Sequence, residues 1–573
     1  MFRIPLCARI LVLFGLIAAT ACRGPEVRPH DAPSARRAEA YMLIAEIART
    51  RDEPRVAATA YASAAEADGR LWPRAAEVAS LSLQPSLALD AARRWIAQDP
   101  ESVAARRIAA RAALLLFKIG QAADDYRFVV ANGRDGVETG IDAIAHELRG
   151  VDDPYGARQV ADRLAQDFPA SAAARRLQGF AALRGGDPAA AVRAFEAALV
   201  QTSPAATRDR ADDGVRRAVV EELRRARVLS GDVAGPLAEA LAAKRREDTP
   251  ARQLDYAIVL LSARETVAAR AQLRELLRIP EYAPAARRIL AVLDFQDGRL
   301  DAARSHFNAL LTTGQYIDES FYYLGLIAER RGDSAQALRY LARVQRGENV
   351  LPAMLRAIAI LQAHDALSTA DQLFDELLKD MPEHAPQMFA ARAEIYAKAG
   401  DAARALTLLN TAINEYPDSP DLRYARASVE EDAGHVDAAV RELQALVKAR
   451  PADPEAMNAL GYTLADHSRR LGYARRLIVR ALAAAPEDAA MRDSLGWVLY
   501  RQGRPAEALR LLSAAFAAEP GGDIGAHCGE VLWQLGRQAE AERVFAKAAE
   551  IDPSNPLLKS TRERLRAAPR ANH

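Results

Sequence analysis

Proline recurs at an almost constant interval through the last third of the chain. Successive intervals are 35, 34, 35, 34 and 33 residues, and the prolines are Pro382, Pro417, Pro451, Pro486, Pro520 and Pro553. Because proline cannot continue a helical hydrogen-bond ladder, each one is predicted to end a helix. A period near 34 residues therefore predicts that this part of the chain repeats one structural unit.

Small residues recur inside each period. An alanine lies twelve residues before each of these prolines, as Ala508 does before Pro520, and in most copies a glycine such as Gly503 lies five residues before it. Seven residues before that glycine comes another small residue, Gly496 in this copy. Only small residues let two helix backbones approach closely where they cross. The pattern predicts two helices joined by a glycine turn, with the small residues at their crossing.

This unit resembles the tetratricopeptide repeat, a helical hairpin of the same period. The residues that carry the resemblance are Leu495, Gly496, Trp497, Gly503, Ala508, Ala515 and Pro520, followed one unit later by Cys528, Gly529, Gly536, Ala541, Phe545, Ala548 and Pro553. The resemblance implies an all-α fold, a right-handed superhelical solenoid of tetratricopeptide-repeat hairpins. We expect divergent N-terminal helical repeats over residues 37–250 and regular C-terminal repeats over 251–573, with a terminal capping helix.

Two stretches depart from the pattern. An extra residue lies between Gly461 and Ala474, and the turn glycine is displaced to Gly472, so we expect an altered turn in that hairpin. Residues 201–250 break the period and are rich in charged side chains. This segment is interpreted as a solvated pair of helices or, alternatively, as a partner-docking insertion or a bend in the superhelix.

Composition and motifs argue against several functions. The formal charge is +1 and charges of both signs are spread along the chain, so no nucleic-acid partner is expected. The nine histidines are scattered, and no hydrolase, phosphate-binding or metal-ligand motif occurs. We therefore expect no enzyme activity, no catalytic residue, no metal and no cofactor.

The N-terminus has the features of an export signal. Arg3 and Arg9 precede an apolar run at 10–17, and small residues then lead to Cys22. Residues 1–21 are interpreted as a signal peptide, Cys22 as a lipidation site, and residues 22–36 as a flexible tether. Ordinary cleavage after Ala21 is the alternative. Because Arg23 follows the cysteine, resemblance to Gram-negative sorting signals implies a lipid-anchored protein of the outer membrane that faces the periplasm.

The resemblance also suggests where a protein could bind. In tetratricopeptide repeats the first helix of each hairpin lines the concave face, and three positions around the small crossing residue face a ligand. The aromatic or polar residues of this chain at or near those positions are Tyr322, Tyr424, Asn458, Tyr462, Asp493, Trp497, Tyr500 and Trp533. Such side chains could hold an extended segment. Alternatively, the rings pack between neighbouring hairpins.

The whole chain resembles one narrower group. The block at 458–486, followed by 493–512 and 529–545, is similar to the LbcA type of outer-membrane lipoprotein in Gram-negative bacteria. That resemblance implies an adaptor that binds a periplasmic carboxyl-terminal processing protease and presents cell-wall hydrolase substrates, such as peptidoglycan hydrolases. A scaffold for exopolysaccharide export or another outer-membrane assembly is the rival interpretation. A repeat-armed enzyme is a third, although no residues remain for a catalytic domain.

Overall fold

A computed structural model describes residues 34–51, 53–149, 151, 153–201, 210–345, 349–363, 367–380, 384–553 and 555–567. The predicted signal peptide, Cys22, Arg23 and Pro382 lie outside these residues. All regular secondary structure in the described part of the chain is helical, as predicted. None of its helices is both long enough and apolar enough to cross a membrane.

The chain divides into two compact units, Met1–Ala112 and Ala113–His573. The first contains α1 (Ser34–Thr50), α2 (Pro54–Ala67), a 3-10 turn (Gly69–Leu71), α3 (Trp72–Leu81), α4 (Pro85–Gln98) and most of α5 (Val103–Leu115). Helices α1 and α2 pair, as do α3 and α4. Because α1 begins at Ser34, the last three residues of the predicted tether are helical.

The second unit continues the succession of helices. Its first part contains α6 (Ile119–Asn132), α7 (Gly136–Arg149), α8 (Pro154–Asp167), α9 (Ala172–Arg184), α10 (Pro188–Gln201), α11 (Arg210–Leu229), α12 (Ala234–Arg246), α13 (Pro250–Ser262), α14 (Thr266–Leu276), α15 (Ala283–Gln296), α16 (Leu300–Thr313), α17 (Ile317–Arg330) and α18 (Ser334–Leu341). Its second part contains α19 (Val350–Ala363), α20 (Leu367–Asp380), α21 (Ala385–Lys398), α22 (Ala402–Glu415), α23 (Pro420–Asp432), α24 (Val436–Ala449), α25 (Pro454–Asp466), α26 (Leu471–Ala484), α27 (Ala489–Arg501), α28 (Pro505–Ala518), α29 (Gly522–Gln534), α30 (Gln538–Ile551) and α31 (Pro556–Ala567).

The hairpins of the C-terminal part stack in two layers. Within a hairpin, the odd-numbered helix pairs with the even-numbered one that follows, as α25 does with α26. Odd-numbered helices also pack on one another, α25 on α27 and α27 on α29, and each even-numbered helix packs on the next odd-numbered one. Because the odd-numbered helices approach one another directly, they form the inner layer of a solenoid. We call their shared surface the inner face.

The predicted hairpin turn and crossing are both present. Gly400, Gly434, Gly503 and Gly536 all have positive φ, between 77° and 84°, which suits glycine because it lacks a Cβ. At the α27–α28 crossing, a Cβ added to Gly496 would lie 2.6 Å from Leu512 Cγ and 3.3 Å from the Ala508 carbonyl oxygen. Backbone contact at this crossing therefore requires a glycine.

The predicted altered turn between α25 and α26 is also present, but its glycine was assigned wrongly. Ser468 and Arg470 take positive φ, 54° and 46°. Gly472 lies inside α26. The turn thus accommodates the extra residue by placing Ser468 and Arg470 in the left-handed region, where residues with a side chain are strained.

The charged segment before residue 250 is tied into the solenoid. Helix α11 packs on α10 and α13, and Arg224 of α11 is buried with a 2.7 Å ion pair to Asp255 of α13. A purely solvated pair of helices would leave such a group in water. At least this part of the segment is therefore structural.

Candidate protein-binding surface

All eight predicted binding residues lie on odd-numbered helices. They are Tyr322 on α17, Tyr424 on α23, Asn458 and Tyr462 on α25, Asp493, Trp497 and Tyr500 on α27, and Trp533 on α29. Six of them are half-buried, whereas Asp493 and Trp497 are each only 5% exposed. Trp497 therefore packs between hairpins, and the half-buried residues are the ones with surface left for a ligand.

A histidine links four of these side chains into one cluster. His527 of α29 lies with its Nδ1 2.8 Å from Asp493 Oδ2 and its Nε2 3.4 Å from the Tyr462 hydroxyl. Its ring stacks on Trp497 with centroids 4.2 Å apart, and Trp497 in turn contacts Tyr500 at 5.2 Å. The cluster joins α25, α27 and α29 in the inner layer.

His527 was missed as a site residue by reasoning from sequence. A signal existed, because His527 follows Asp493 by 34 residues, one repeat period. Burial by itself would lower the pKa of His527, but the charge and hydrogen bond of Asp493 outweigh it, so the pKa is raised. The imidazolium form therefore stabilises this cluster.

Carboxylates surround the aromatic residues of the inner face. The Trp497 indole Nε1 donates to Asp466 Oδ1 at 3.0 Å, and the Tyr500 hydroxyl donates to Glu530 Oε1 at 3.3 Å. Burial raises the pKa of the Tyr462 hydroxyl, and the nearby charges of Asp466, Asp493, Asp523 and Glu431 raise it further. Carboxylates therefore hold the aromatic side chains of this part of the inner face in place through hydrogen bonds.

Three buried polar atoms of this surface have no hydrogen-bond partner within the protein. They are the Tyr424 hydroxyl, Asn458 Oδ1 and Asp493 Oδ1. Their residues stand 34 and 35 positions apart, each three residues before the small residue at a helix crossing. Successive repeats thus place a polar atom at the same buried position beneath the inner face.

A second carboxylate–histidine group lies beside this cluster. Glu431, Asp466 and His467 place ligand atoms within 4.8 Å of one another. His467 Nε2 lies 2.8 Å from Glu431 Oε1, while Asp466 accepts the Trp497 N–H and has Arg501 3.6 Å away. These groups satisfy one another, so hydrogen bonding accounts for their proximity.

A contact between distant repeats was not foreseen from the sequence. Arg450, at the end of α24, donates to Asp153 at 2.6 and 3.0 Å and to Asp453 at 2.6 Å, and all three are buried. Its guanidinium lies 4.4 Å from the Tyr155 ring centroid. Since 297 residues separate Asp153 from Arg450, no local pattern could have revealed the pair.

Family comparisons identify the repeats. Models described as "Tetratricopeptide repeat" match residues 143–207, 319–346, 396–461, 468–524 and 494–556. A Pseudomonas aeruginosa relative, "TPR repeat-containing protein PA4667", is 34% identical over 214 residues, which are 37% of this chain and 36% of the relative. The chain therefore matches only about a third of that relative's length.

Solved structures of repeat proteins are also similar in part. A thermophilic TPR protein of Thermus thermophilus is 25% identical, with a TM-score of 0.28 over 32% of this chain and 97% of that one. Yeast Tom70 is 13% identical, with a TM-score of 0.35 over 92% of this chain and 99% of its own. The sequence matches, together with the helical hairpins, show that this chain contains tetratricopeptide repeats and has an all-α solenoid fold.

Proposed function

We propose that this chain is a non-enzymatic adaptor, anchored to the outer membrane through a lipid on Cys22. It binds a carboxyl-terminal processing protease in the periplasm and presents substrates such as peptidoglycan hydrolases to it. Tetratricopeptide repeats are protein-interaction scaffolds, and the resemblance of residues 458–545 to the LbcA type supplies the particular partner. The protease contributes the catalytic groups.

The observation that supports a binding role most directly is the inner face of α23, α25, α27 and α29. Half-buried aromatic rings alternate there with carboxylates, and three consecutive repeats present buried polar atoms without partners. Aromatic rings with polar tips suit protein contacts because they offer a large area together with hydrogen bonds. A bound protease and a bound substrate would share one tether, which raises the effective concentration of each for the other.

Affinity capture tests this function. The chain from Arg23 onward is immobilised, solubilised envelopes are applied, and bound proteins are identified by mass spectrometry. We expect a processing protease together with cell-wall hydrolases. Enrichment of polysaccharide-export components without any protease would refute the adaptor role and favour the scaffold.

Matched variants show whether the inner face carries the binding. Tyr500→Ala and Trp533→Ala remove half-buried rings from that face, whereas Val479→Ala removes an exposed side chain from α26, outside it. We expect the first two to weaken binding of the purified protease and the third to leave it unchanged. Equal affinity in all three variants would place the interface elsewhere.

The anchor is tested separately with a Cys22→Ser variant of the whole chain. We expect it to lose incorporation of a labelled fatty acid and to leave the membrane fraction. Retention of the label would exclude Cys22 as the lipidation site.

A further inference from the structure

The contact between Asp153 and Arg450 joins repeats that are far apart in sequence. We call Asp153, Arg450 and Asp453 the clasp. Asp153 stands immediately before α8, Arg450 ends α24, and Asp453 stands immediately before α25. The Arg450 guanidinium lies between the two carboxylates at 2.6 Å from each. The clasp thus ties the start of α8 to the junction of α24 and α25.

Tyr155 adds a contact at this junction, because its ring centroid lies 4.4 Å from the Arg450 guanidinium carbon. Gly186 also lies at this junction, since a Cβ added to Gly186 would lie 3.3 Å from Ala485 Cβ. Beside the clasp lies a cavity of about 430 Å³, whose lining includes Tyr155, Tyr424 and Glu455. Because a cavity adjoins it, the junction depends on the ion pairs more than on apolar packing.

Asp153 has an alternative partner close by. It occupies the position that normally caps a helix, yet its carboxylate makes no capping hydrogen bond to α8. Asp453, in the same position before α25, accepts from the Glu455 and Ala456 N–H groups while also holding Arg450. Aspartate at this position ordinarily satisfies the free N–H groups of the first helical turn. The clasp therefore holds Asp153 away from its usual local role.

Gly156 leaves the room that Asp153 needs in the clasp. A Cβ at residue 156 would lie 2.5 Å from Asp153 Oδ2, closer than such atoms approach without movement. The same Cβ would lie 3.3 Å from Ile119 Cδ1 of α6, a contact that a shift of a few tenths of an ångström at the end of that side chain relieves. It is otherwise compatible with a capped helix. Gly156 is thus required for the clasp and not for α8.

We propose that the clasp is a reversible closure of the solenoid. On opening, the Asp153 carboxylate moves from Arg450 to the N–H groups of α8, while Arg450 stays with Asp453. No buried charge is left alone in either state, so opening avoids the penalty of an unpaired buried charge. Opening makes the start of α25, and with it the inner face, accessible to a bulky protein. Only this access of a protein partner rests on the proposed function.

Spin-label distances test the closure directly. Cysteines replace Val200 on α10 and Val479 on α26, both exposed, in the chain from Arg23 with Cys528→Ala. We expect Gly156→Ala and Arg450→Ala to broaden the electron–electron distance distribution and shift it to longer values. Arg278→Ala, which removes an exposed ion pair, is the control and should match the parent. Parental distributions in both clasp variants would overturn the proposal.

A labelling experiment tests access without any partner. Glu455→Cys places an exposed thiol beside the clasp, and its reaction with N-ethylmaleimide is compared with that of a maleimide carrying a 5 kDa polyethylene glycol, a probe of roughly protein size. We expect Gly156→Ala to accelerate the bulky reagent several-fold and the small one hardly at all. Equal acceleration of both would indicate local unfolding and contradict a hinged opening. Failure of the protease capture would remove the proposed function but leave both results standing.

Discussion

Gly496 permits a direct test of the repeat register. In Gly496→Leu, the new Cβ would lie 2.6 Å from Leu512 Cγ and 3.3 Å from the Ala508 carbonyl oxygen. An unstrained contact needs about 3.5–4.0 Å, so the helices must separate by about 1 Å or Leu512 must leave its rotamer. Overpacking of this kind costs about 1–3 kcal/mol, and the better helix propensity of leucine returns about 0.8 kcal/mol. We expect a net loss of about 1 kcal/mol.

Urea unfolding followed by tryptophan fluorescence measures this loss, since Trp497 adjoins the substituted residue. With a dependence of about 2 kcal/mol per molar urea, the midpoint should fall by about 0.5 M. Gly472→Ala is the control, because the nearest atom that its Cβ would meet is Arg476 Nη1 at 4.0 Å. It should stabilise α26 by up to about 1 kcal/mol. An unchanged midpoint in Gly496→Leu would refute the assigned crossing.

Three further expectations concern buried polar groups. Because the folded-state pKa of His527 is raised by Asp493, its stabilising effect is complete below the unfolded pKa of about 6.5 and is lost as pH rises through the higher folded value. The hydrogen-exchange protection factors of α29, which are corrected for the intrinsic exchange rate at each pH, should fall across that window, and not in His527→Gln. Arg270→Ala would remove the 2.6 Å partner of the buried Asp294, which keeps Arg299 at 2.9 Å, so we expect a loss of about 2 kcal/mol in chemical unfolding. Burial raises the pKa of the Cys528 thiol, so the native chain should resist a thiol reagent that modifies it promptly in urea.

Each of these expectations has an outcome that would contradict it. A pH-independent protection factor in the parent chain would mean that His527 does not stabilise α29 through its charge. For Arg270, the matched variant is Arg278→Ala, whose ion pair to Glu275 is largely exposed and contributes about 0–1 kcal/mol. Equal losses of unfolding free energy in the two arginine variants would show that burial does not determine how much an ion pair contributes. Rapid modification of Cys528 in the native chain would show that α29 opens readily.

The fold could be predicted from sequence because its rules are local. Proline, a turn glycine and small residues at fixed offsets determine each hairpin, and the buried Ala508, Ala515 and Phe545 occupy the expected crossing positions. Each hairpin contacts mainly its neighbours, so a pattern of one period is sufficient. The turn before α26 was located correctly but explained wrongly, because φ at Arg470 depends on how the extra residue is accommodated and not on where a glycine happens to stand.

The candidate surface could be predicted only in part. Sequence offsets placed Tyr462, Asp493 and Trp497 on one face, but they carried no information about depth, and Trp497 proves buried against His527. Burial depends on the neighbouring hairpins and on the size of their side chains. Residues at equivalent positions of successive repeats are therefore better interpreted as one cluster between helices than as independent contacts with a ligand.

The clasp is the clearest example of a contact that local sequence patterns cannot predict. Asp153-Pro154 and Asp453-Pro454 are the same dipeptide, and each begins a helix in the same way. Only Asp453 caps its own helix, because the superhelix carries Arg450 to within reach of Asp153 after 297 residues. A small change in the rise per repeat would accumulate over many hairpins and would separate Asp153 from Arg450. This one ion pair therefore depends on the geometry of all the repeats between them. Formation of this ion pair in the closed state therefore tests the superhelical parameters more stringently than any single hairpin does.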